Sequence, residues 1–166
     1  MRKLILLVAL VLMAGLALTA CNKKAAEPAA DAAAAAPVKP TDPGDTKGWN
    51  AYLGPIVVKN MEGMTAAQPF AYMVKAPIND EAKADNARQL EAVQEVVSRG
   101  VTGGNLLAFA GPDSTATADL LISAFQAAKP NSLKNVIVLF VGDQADESRV
   151  SDAVKPTGAT FRFVQI

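Results

Sequence analysis

Short acidic, amide and hydroxyl residues recur in three segments of the chain, each of which follows an apolar stretch of strand length. The segments are 75–80, 111–115 and 142–146, and the eight residues, here called the acidic rim, are Asn79, Asp80, Asp113, Ser114, Thr115, Asp143, Gln144 and Asp146. Four of the eight are aspartates, and carboxylates held close together bind Mg²⁺ or Ca²⁺, which prefer oxygen ligands. Paired carboxylates also serve as general acid and base in catalysis. One hypothesis is therefore a ligand or divalent-metal site.

The same residues suit a structural role. Short polar side chains between a strand and a helix accept hydrogen bonds from the first free N–H groups of the helix. Every residue of the acidic rim is placed for such capping, and the spacing matches no established metal motif. The sequence therefore favours helix capping, and it predicts no cofactor and no metal.

The residue inventory argues against several other kinds of chemistry. The chain has no histidine, which removes the commonest general base, histidine-dependent triads and most zinc sites. Sixteen basic residues balance sixteen acidic ones, so no basic face for nucleic acid is expected. The methionines Met61, Met64 and Met73 are too irregularly spaced to indicate a Cu(I) site and are interpreted as core filler. The inventory favours binding over catalysis without deciding between them.

Alternating apolar strands and amphipathic helices must position the acidic rim. Strands are predicted at 69–74, 105–110, 135–141 and 160–166, and helices at 81–99, 114 to about 129, and about 146–154. Strand-then-helix units that repeat about every 30 residues are typical of parallel sheets, and strands apolar on both faces require helices on both sides. The predicted fold class is α/β: a small three-layer domain over residues 48–166, with about four mainly parallel strands covered by helices.

Right-handed crossovers allow the strand at 70–75 to lie inside the sheet. We expect 105–110 on one side of it and 135–141, then 161–166, on the other. The strand order would then reverse, and ligands bind to open parallel sheets at such a reversal. This arrangement would bring the residues of the acidic rim together beyond the carboxyl ends of the strands.

Two regions of the domain are predicted less fully. The last strand is expected at a sheet edge, with Arg162 and Gln165 exposed. Residues 49–64 remain unassigned, because 56–58 would allow an additional strand. Within this region, Trp49, Tyr52 and Leu53 are expected to anchor the entrance of the domain.

The beginning of the chain has the organisation of an export signal. Arg2 and Lys3 precede an apolar run of about 15 residues from Leu4 to Leu18, shorter than the roughly 20 residues that span a bilayer. The run ends in Leu18–Thr19–Ala20–Cys21, which resembles the lipobox of bacterial lipoproteins.

This resemblance implies removal of residues 1–20, a diacylglyceryl group on Cys21 and acylation of the new amino terminus, for example with palmitate. Two or three acyl chains hold a protein stably on a membrane. The next residue is Asn22 rather than aspartate. The resemblance therefore implies a lipoprotein that faces the periplasm, with the outer membrane favoured over the inner one.

Residues 21–47 are predicted to form a lipidated, flexible tether. Nine of the twelve residues from Ala25 to Ala36 are alanine, and three prolines follow by residue 43, a composition that buries too little surface to fold. We therefore expect an envelope lipoprotein whose partners are the membrane, through Cys21, and another envelope protein. Its expected role is interaction, scaffolding, or inhibition of the kind an immunity protein performs. The alternative is a ligand- or metal-binding, possibly catalytic, domain that uses the acidic rim.

Overall fold

The computed structural model describes residues 37–166, which form four α-helices and one sheet of four parallel strands. The helices are α1 (Thr46–Lys59), α2 (Asp80–Arg99), α3 (Ser114–Phe125) and α4 (Gln144–Val154), and the strands are β1 (Phe70–Met73), β2 (Leu106–Ala110), β3 (Ile137–Gly142) and β4 (Thr160–Gln165). The predicted α/β class is confirmed. The predicted signal peptide, Cys21 and tether residues 22–36 lie outside the described residues. Within residues 37–166, no helix has the length and apolar character needed to cross a bilayer.

The strand order is β1-β2-β3-β4, so the predicted order with the first strand inside the sheet is wrong. The sheet is parallel throughout, with Ala71 opposite Ala108 and Ala108 opposite Leu139. The interior positions belong to β2 and β3, in which every residue is buried. These two strands are the continuous apolar runs of the sequence, and a strand buried on both faces requires such a run.

Sequential order places three helices on the same face of the sheet, because each right-handed crossover to the next strand passes on the same side. α2, α3 and α4 pack there around Phe109 and Phe140. The opposite face is left to α1, whose buried Trp49, Leu53 and Val57 contact β2 and β3. In the described part of the chain, one face of the sheet therefore has three covering helices and the other has one.

Residues 56–58 belong to α1, so they do not form the additional strand that the sequence would have allowed there. Its buried residues recur every four positions, which is the spacing of one helical face. Asp45 caps its first turn by accepting a hydrogen bond from the Gly48 N–H at 2.8 Å. The helix begins two residues before the predicted domain boundary. Trp49 and Leu53 are buried, as expected for residues that anchor this part of the domain.

Several other element boundaries differ from the prediction. α3 ends at Phe125 instead of continuing to about residue 129, and α4 begins at Gln144, two residues early. β4 is an edge strand as predicted, and Gln165 is exposed. Arg162 is half-buried instead of exposed, because its Nη1 donates to the Asn60 carbonyl at 2.7 Å.

An ion pair joins the end of β1 to α2. The Lys75 ammonium donates to the Asp85 carboxylate, and this hydrogen bond, helped by Arg88, lowers the pKa of Asp85 against the opposing effect of desolvation. A carboxyl whose pKa is lower in the folded than in the unfolded chain stabilises the fold above its unfolded pKa of about 3.9. That stabilisation is lost as pH falls through the folded pKa.

We therefore expect Asp85→Asn to lower the free energy of unfolding at pH 7 and to have a smaller effect at pH 3. Urea denaturation of both proteins at the two pH values measures the difference. An equal loss of stability at pH 7 and pH 3 would contradict this account of Asp85.

Candidate functional site

Two residues of the acidic rim cap helices through their side chains. Asn79 Oδ1 accepts from the Ala82 N–H at 2.8 Å at the start of α2, and Asp113 Oδ1 accepts from the Ala116 N–H at 2.9 Å at the start of α3. Asp143 occupies the same position before α4, but its side chain forms no capping hydrogen bond. These side chains thus satisfy free N–H groups at two of the three helix starts.

This difference gives a matched test of capping. Replacing Asp113 with alanine should lower the free energy of unfolding by about 1 kcal/mol, because a free N–H group loses its acceptor. Replacing Asp143 with alanine should change it by less than about 0.5 kcal/mol. Chemical denaturation of both variants checks the pair, and equal losses would show that Asp113 does not act as a cap.

A buried hydrogen-bond network joins the beginnings of α3 and α4. The Ser114 hydroxyl donates to Asp146 Oδ2 at 2.5 Å and accepts from the Asp143 N–H at 2.7 Å. Asp146 Oδ1 in turn accepts from Arg149 Nε at 2.8 Å. Both Ser114 and Asp146 are more than nine-tenths buried. Because buried polar groups are costly unless paired, the network fixes the two helices relative to each other.

Arg149 extends this network to the surface. Its guanidinium donates to Asp119 at 2.5 Å and to the Thr115 carbonyl at 3.3 Å. The hydrogen bond that Arg149 donates to Asp119, followed by the one it donates to Asp146, raises the pKa of Arg149 above its ordinary value against the opposing effect of desolvation. Gln144 lies outside the network and donates to the Glu147 carboxylate.

The structure thus brings Ser114, Asp143 and Asp146 together. Asn79 and the exposed Asp80, which pairs with Lys83 at 3.4 Å, form no hydrogen bond to the rest of the acidic rim. Because the strand order does not reverse, the crevice expected at a reversal is not formed. In the part of the chain from 37 to 166, no three His, Cys, Asp or Glu residues lie close enough to hold a metal ion.

An open groove, here called the α1–β1 groove, lies on the face of the sheet that α1 covers. Its volume is about 280 Å³. α1 packs over the two central strands, so the sheet surface at β1 is left uncovered. The groove is lined by eleven residues, which are Asn50, Leu53, Gly54, Val57, Val58, Pro69, Ala71, Tyr72, Met73, Ala108 and Ala110. None of these side chains carries a charge.

Small residues keep this groove open. A Cβ built on Gly54 would meet no atom within 4 Å. The neighbouring Val58 is 67% exposed and extends the apolar surface of the groove at its margin. On the sheet side, Ala71, Ala108 and Ala110 project only methyl groups. The chemistry that this arrangement supports is the binding of apolar side chains.

A second hollow lies across β1, on the face of the sheet covered by α2. Its volume is also about 280 Å³, and its lining includes Phe70, Val96, Arg99 and Val101. Phe70 is 43% exposed. Beside it, Tyr72 stacks on Phe109 with ring centroids 4.9 Å apart, and partial burial raises the pKa of Tyr72. Strand β1 therefore separates two hollows, one on each face of the sheet.

Sequence reasoning did not find the α1–β1 groove. The predicted strand order put the first strand inside the sheet, where both of its faces would be covered. Trp49, Leu53 and Val57 have the spacing of one helical face, which favours a helix over residues 46–59. Gly54 and Pro55 disfavour a helix in the same segment, so the sequence leaves the assignment open. Met61, Met64 and Met73 pack against the core on this face, in keeping with their interpretation as core filler.

Comparisons with known proteins gave no match: no protein-family model matches the chain, and no curated protein or solved structure is significantly similar to it. The geometry of the domain and the pattern at its amino terminus therefore carry the functional argument. Of the surfaces described, the α1–β1 groove has the clearest binding chemistry.

Proposed function

We propose that this protein is a lipid-anchored interaction module of the bacterial envelope, and that a protein partner docks in the α1–β1 groove. The observation that carries the proposal is the uncharged groove of about 280 Å³ with Val58 exposed at its margin. Apolar surface in contact with water is unfavourable, and its burial drives most protein association. A partner that places an apolar side chain between α1 and β1 would gain this free energy.

The amino-terminal pattern supports the same role. A lipid on Cys21 and a tether of about 25 residues would confine the domain near the membrane without fixing its orientation. Tethering raises the effective concentration of a binding surface toward partners on the same membrane. Scaffolding or inhibition of an envelope protein is therefore favoured over a role of the acidic rim in metal binding, because Asp113 and Asp146 are already engaged in hydrogen bonds.

The anchor is tested by fractionation. The unaltered protein should stay with washed membranes, while Cys21→Ala should be released into the soluble fraction, because the variant has no thiol for the diacylglyceryl group. Mass spectrometry of the mature amino terminus identifies the acyl groups directly. Retention of Cys21→Ala on washed membranes would refute lipid anchoring.

Docking is tested by photo-cross-linking in intact cells. A photoreactive amino acid at Val58 should form an adduct with an envelope protein, because this side chain lies at the margin of the groove. The matched control places the same amino acid at Ala84, an exposed position on α2. An adduct of equal yield at both positions, or at Ala84 alone, would contradict docking in the groove.

A further inference from the structure

We infer that the partner contributes an extended segment, which pairs with the free edge of β1 as a fifth strand and places alternate side chains in the α1–β1 groove. This inference rests on the proposed function and specifies the chemistry of the partner. Strand addition of this kind draws affinity from main-chain hydrogen bonds and specificity from pockets for alternate side chains.

The direction of the main-chain groups identifies the free edge. The Val74 N–H donates to the Ala110 carbonyl at 2.8 Å, so Val74 faces β2. Successive residues of a strand direct their N–H and C=O groups to opposite sides, so those of Ala71, Met73 and Lys75 face away from the sheet. Within residues 37–166, β1 pairs with β2 alone, and these groups therefore form an open edge.

Side chains of α2 already occupy one end of this edge. Asn86 bonds both main-chain groups of Lys75, donating to its carbonyl at 2.7 Å and accepting from its N–H at 3.0 Å. Gln89 Nε2 donates to the Met73 carbonyl at 3.3 Å. Within residues 37–166, the N–H groups of Ala71 and Met73 and the Ala71 carbonyl have no hydrogen-bond partner. The open part of the edge is thus centred on Ala71.

Gln89 is the side chain that an added strand would replace. Its Oε1 is buried and has no hydrogen-bond partner among the described residues, where its Nε2 makes only the long hydrogen bond to Met73. An N–H group of the incoming segment would bond the Met73 carbonyl instead. The Gln89 amide would then be free to turn toward water, where both of its polar atoms find partners.

Both faces of this edge have room for the side chains of an added strand. Side chains of a strand alternate between the two faces of a sheet, and the open edge has the α1–β1 groove on one face and the hollow beside Phe70 on the other. Edge strands are commonly protected from pairing with another chain by a charged side chain that points inward or lies near the middle of the strand. Arg162 provides such a charge in β4, whereas β1 consists of Phe70–Met73 and has none.

Charge beside the α1–β1 groove specifies the occupant further. Lys59 follows Val58, a lining residue of the α1–β1 groove, and forms no ion pair among the described residues. Arg99 lines the other hollow but is already paired with Glu95 at 3.0 Å, so Lys59 carries the unbalanced positive charge beside the groove. The complementary segment is extended, has apolar side chains at alternate positions and carries a carboxylate at the end next to Lys59.

A displayed library of random octapeptides is the probe, selected against the full chain and counter-selected against Ala71→Pro. Proline at position 71 removes only the Ala71 N–H, which faces away from β2, and edge strands tolerate proline at such positions. Enriched peptides should show alternating apolar residues with an acidic end. N-methylation of the alternate amides that face β1 should weaken binding at least tenfold, and methylation of the other set should change it less than about twofold. Equal effects of both sets, or no enriched peptide, would overturn strand pairing.

Filling the groove separates this inference from the proposed function. Gly54→Leu places a side chain in the open space of the groove. If peptides lose binding to Gly54→Leu but not on N-methylation, the groove remains a docking site and strand pairing fails. If cross-linking at Val58 finds no envelope partner although the methylation result holds, the proposed cellular function fails while strand pairing stands.

Discussion

Replacing Asp146 with alanine is expected to lower the free energy of unfolding by about 2–4 kcal/mol, because it leaves a buried hydroxyl without its acceptor. Asp146 accepts from Ser114 at 2.5 Å and from Arg149 at 2.8 Å, and its side chain is almost fully buried. The loss should appear as a lower midpoint in urea with an unchanged slope, since the same surface is exposed on unfolding.

Asp119 provides the matched control, because it binds Arg149 from the exposed side of the same network. Exposed ion pairs contribute little, so Asp119→Ala should cost less than about 1 kcal/mol. Equal losses for the two variants would show that the network is held by the surface ion pair instead of the buried one. A small effect of both would remove its structural role.

The second large effect is expected at Trp49. Trp49→Ala should lower the free energy of unfolding by about 3–5 kcal/mol, the usual cost of deleting a large buried aromatic side chain. The Trp49 side chain packs between α1 and the sheet, contacts Tyr52 edge-on at 5.9 Å and donates its Nε1–H to the Asp42 carbonyl at 2.9 Å. Among residues 37–166, no other helix covers this face of the sheet, so α1 should lose its attachment first.

Hydrogen exchange locates this effect. In Trp49→Ala, amides of α1 should exchange much faster, while those of β2 and β3 should keep protection limited by global unfolding. Val58→Ala is the control on the same helix, with a change below about 0.5 kcal/mol because the side chain is exposed. Uniform loss of protection across the domain would contradict the separate attachment of α1.

Much of the fold is predictable from local patterns in the sequence. The helix from Asp80 to Arg99 lies within one residue of the predicted 81–99, and Asn79 caps its start as the sequence favours. Gly100 follows its last residue with a φ of 85°, which favours glycine. The strands were recognisable because their apolar runs fit a parallel sheet. The strand order is not predictable in the same way, because the handedness of the crossovers permits several orders. These orders differ in which strands are buried along their whole length.

The candidate groove was less predictable for the same reason. A groove between α1 and β1 exists because sequential order sends α2, α3 and α4 to one face and, among residues 37–166, leaves the other to α1. No motif in the chain specifies that outcome. The polar residues after the strands are the most conspicuous pattern in the sequence, and two of them, Asn79 and Asp113, cap helices.

The most direct test of docking in the α1–β1 groove is the dissociation constant of the partner that is cross-linked through residue 58, measured for Gly54→Leu and Gly54→Ala. Both substitutions replace glycine inside a helix, which should stabilise the fold by up to about 1 kcal/mol. The space around the Gly54 position is open to 4 Å, so both side chains fit there. Only leucine is long enough to extend far into the groove. The account predicts at least tenfold weaker binding, about 1.4 kcal/mol, for Gly54→Leu and unchanged binding for Gly54→Ala. Equal affinity of the two variants would contradict it.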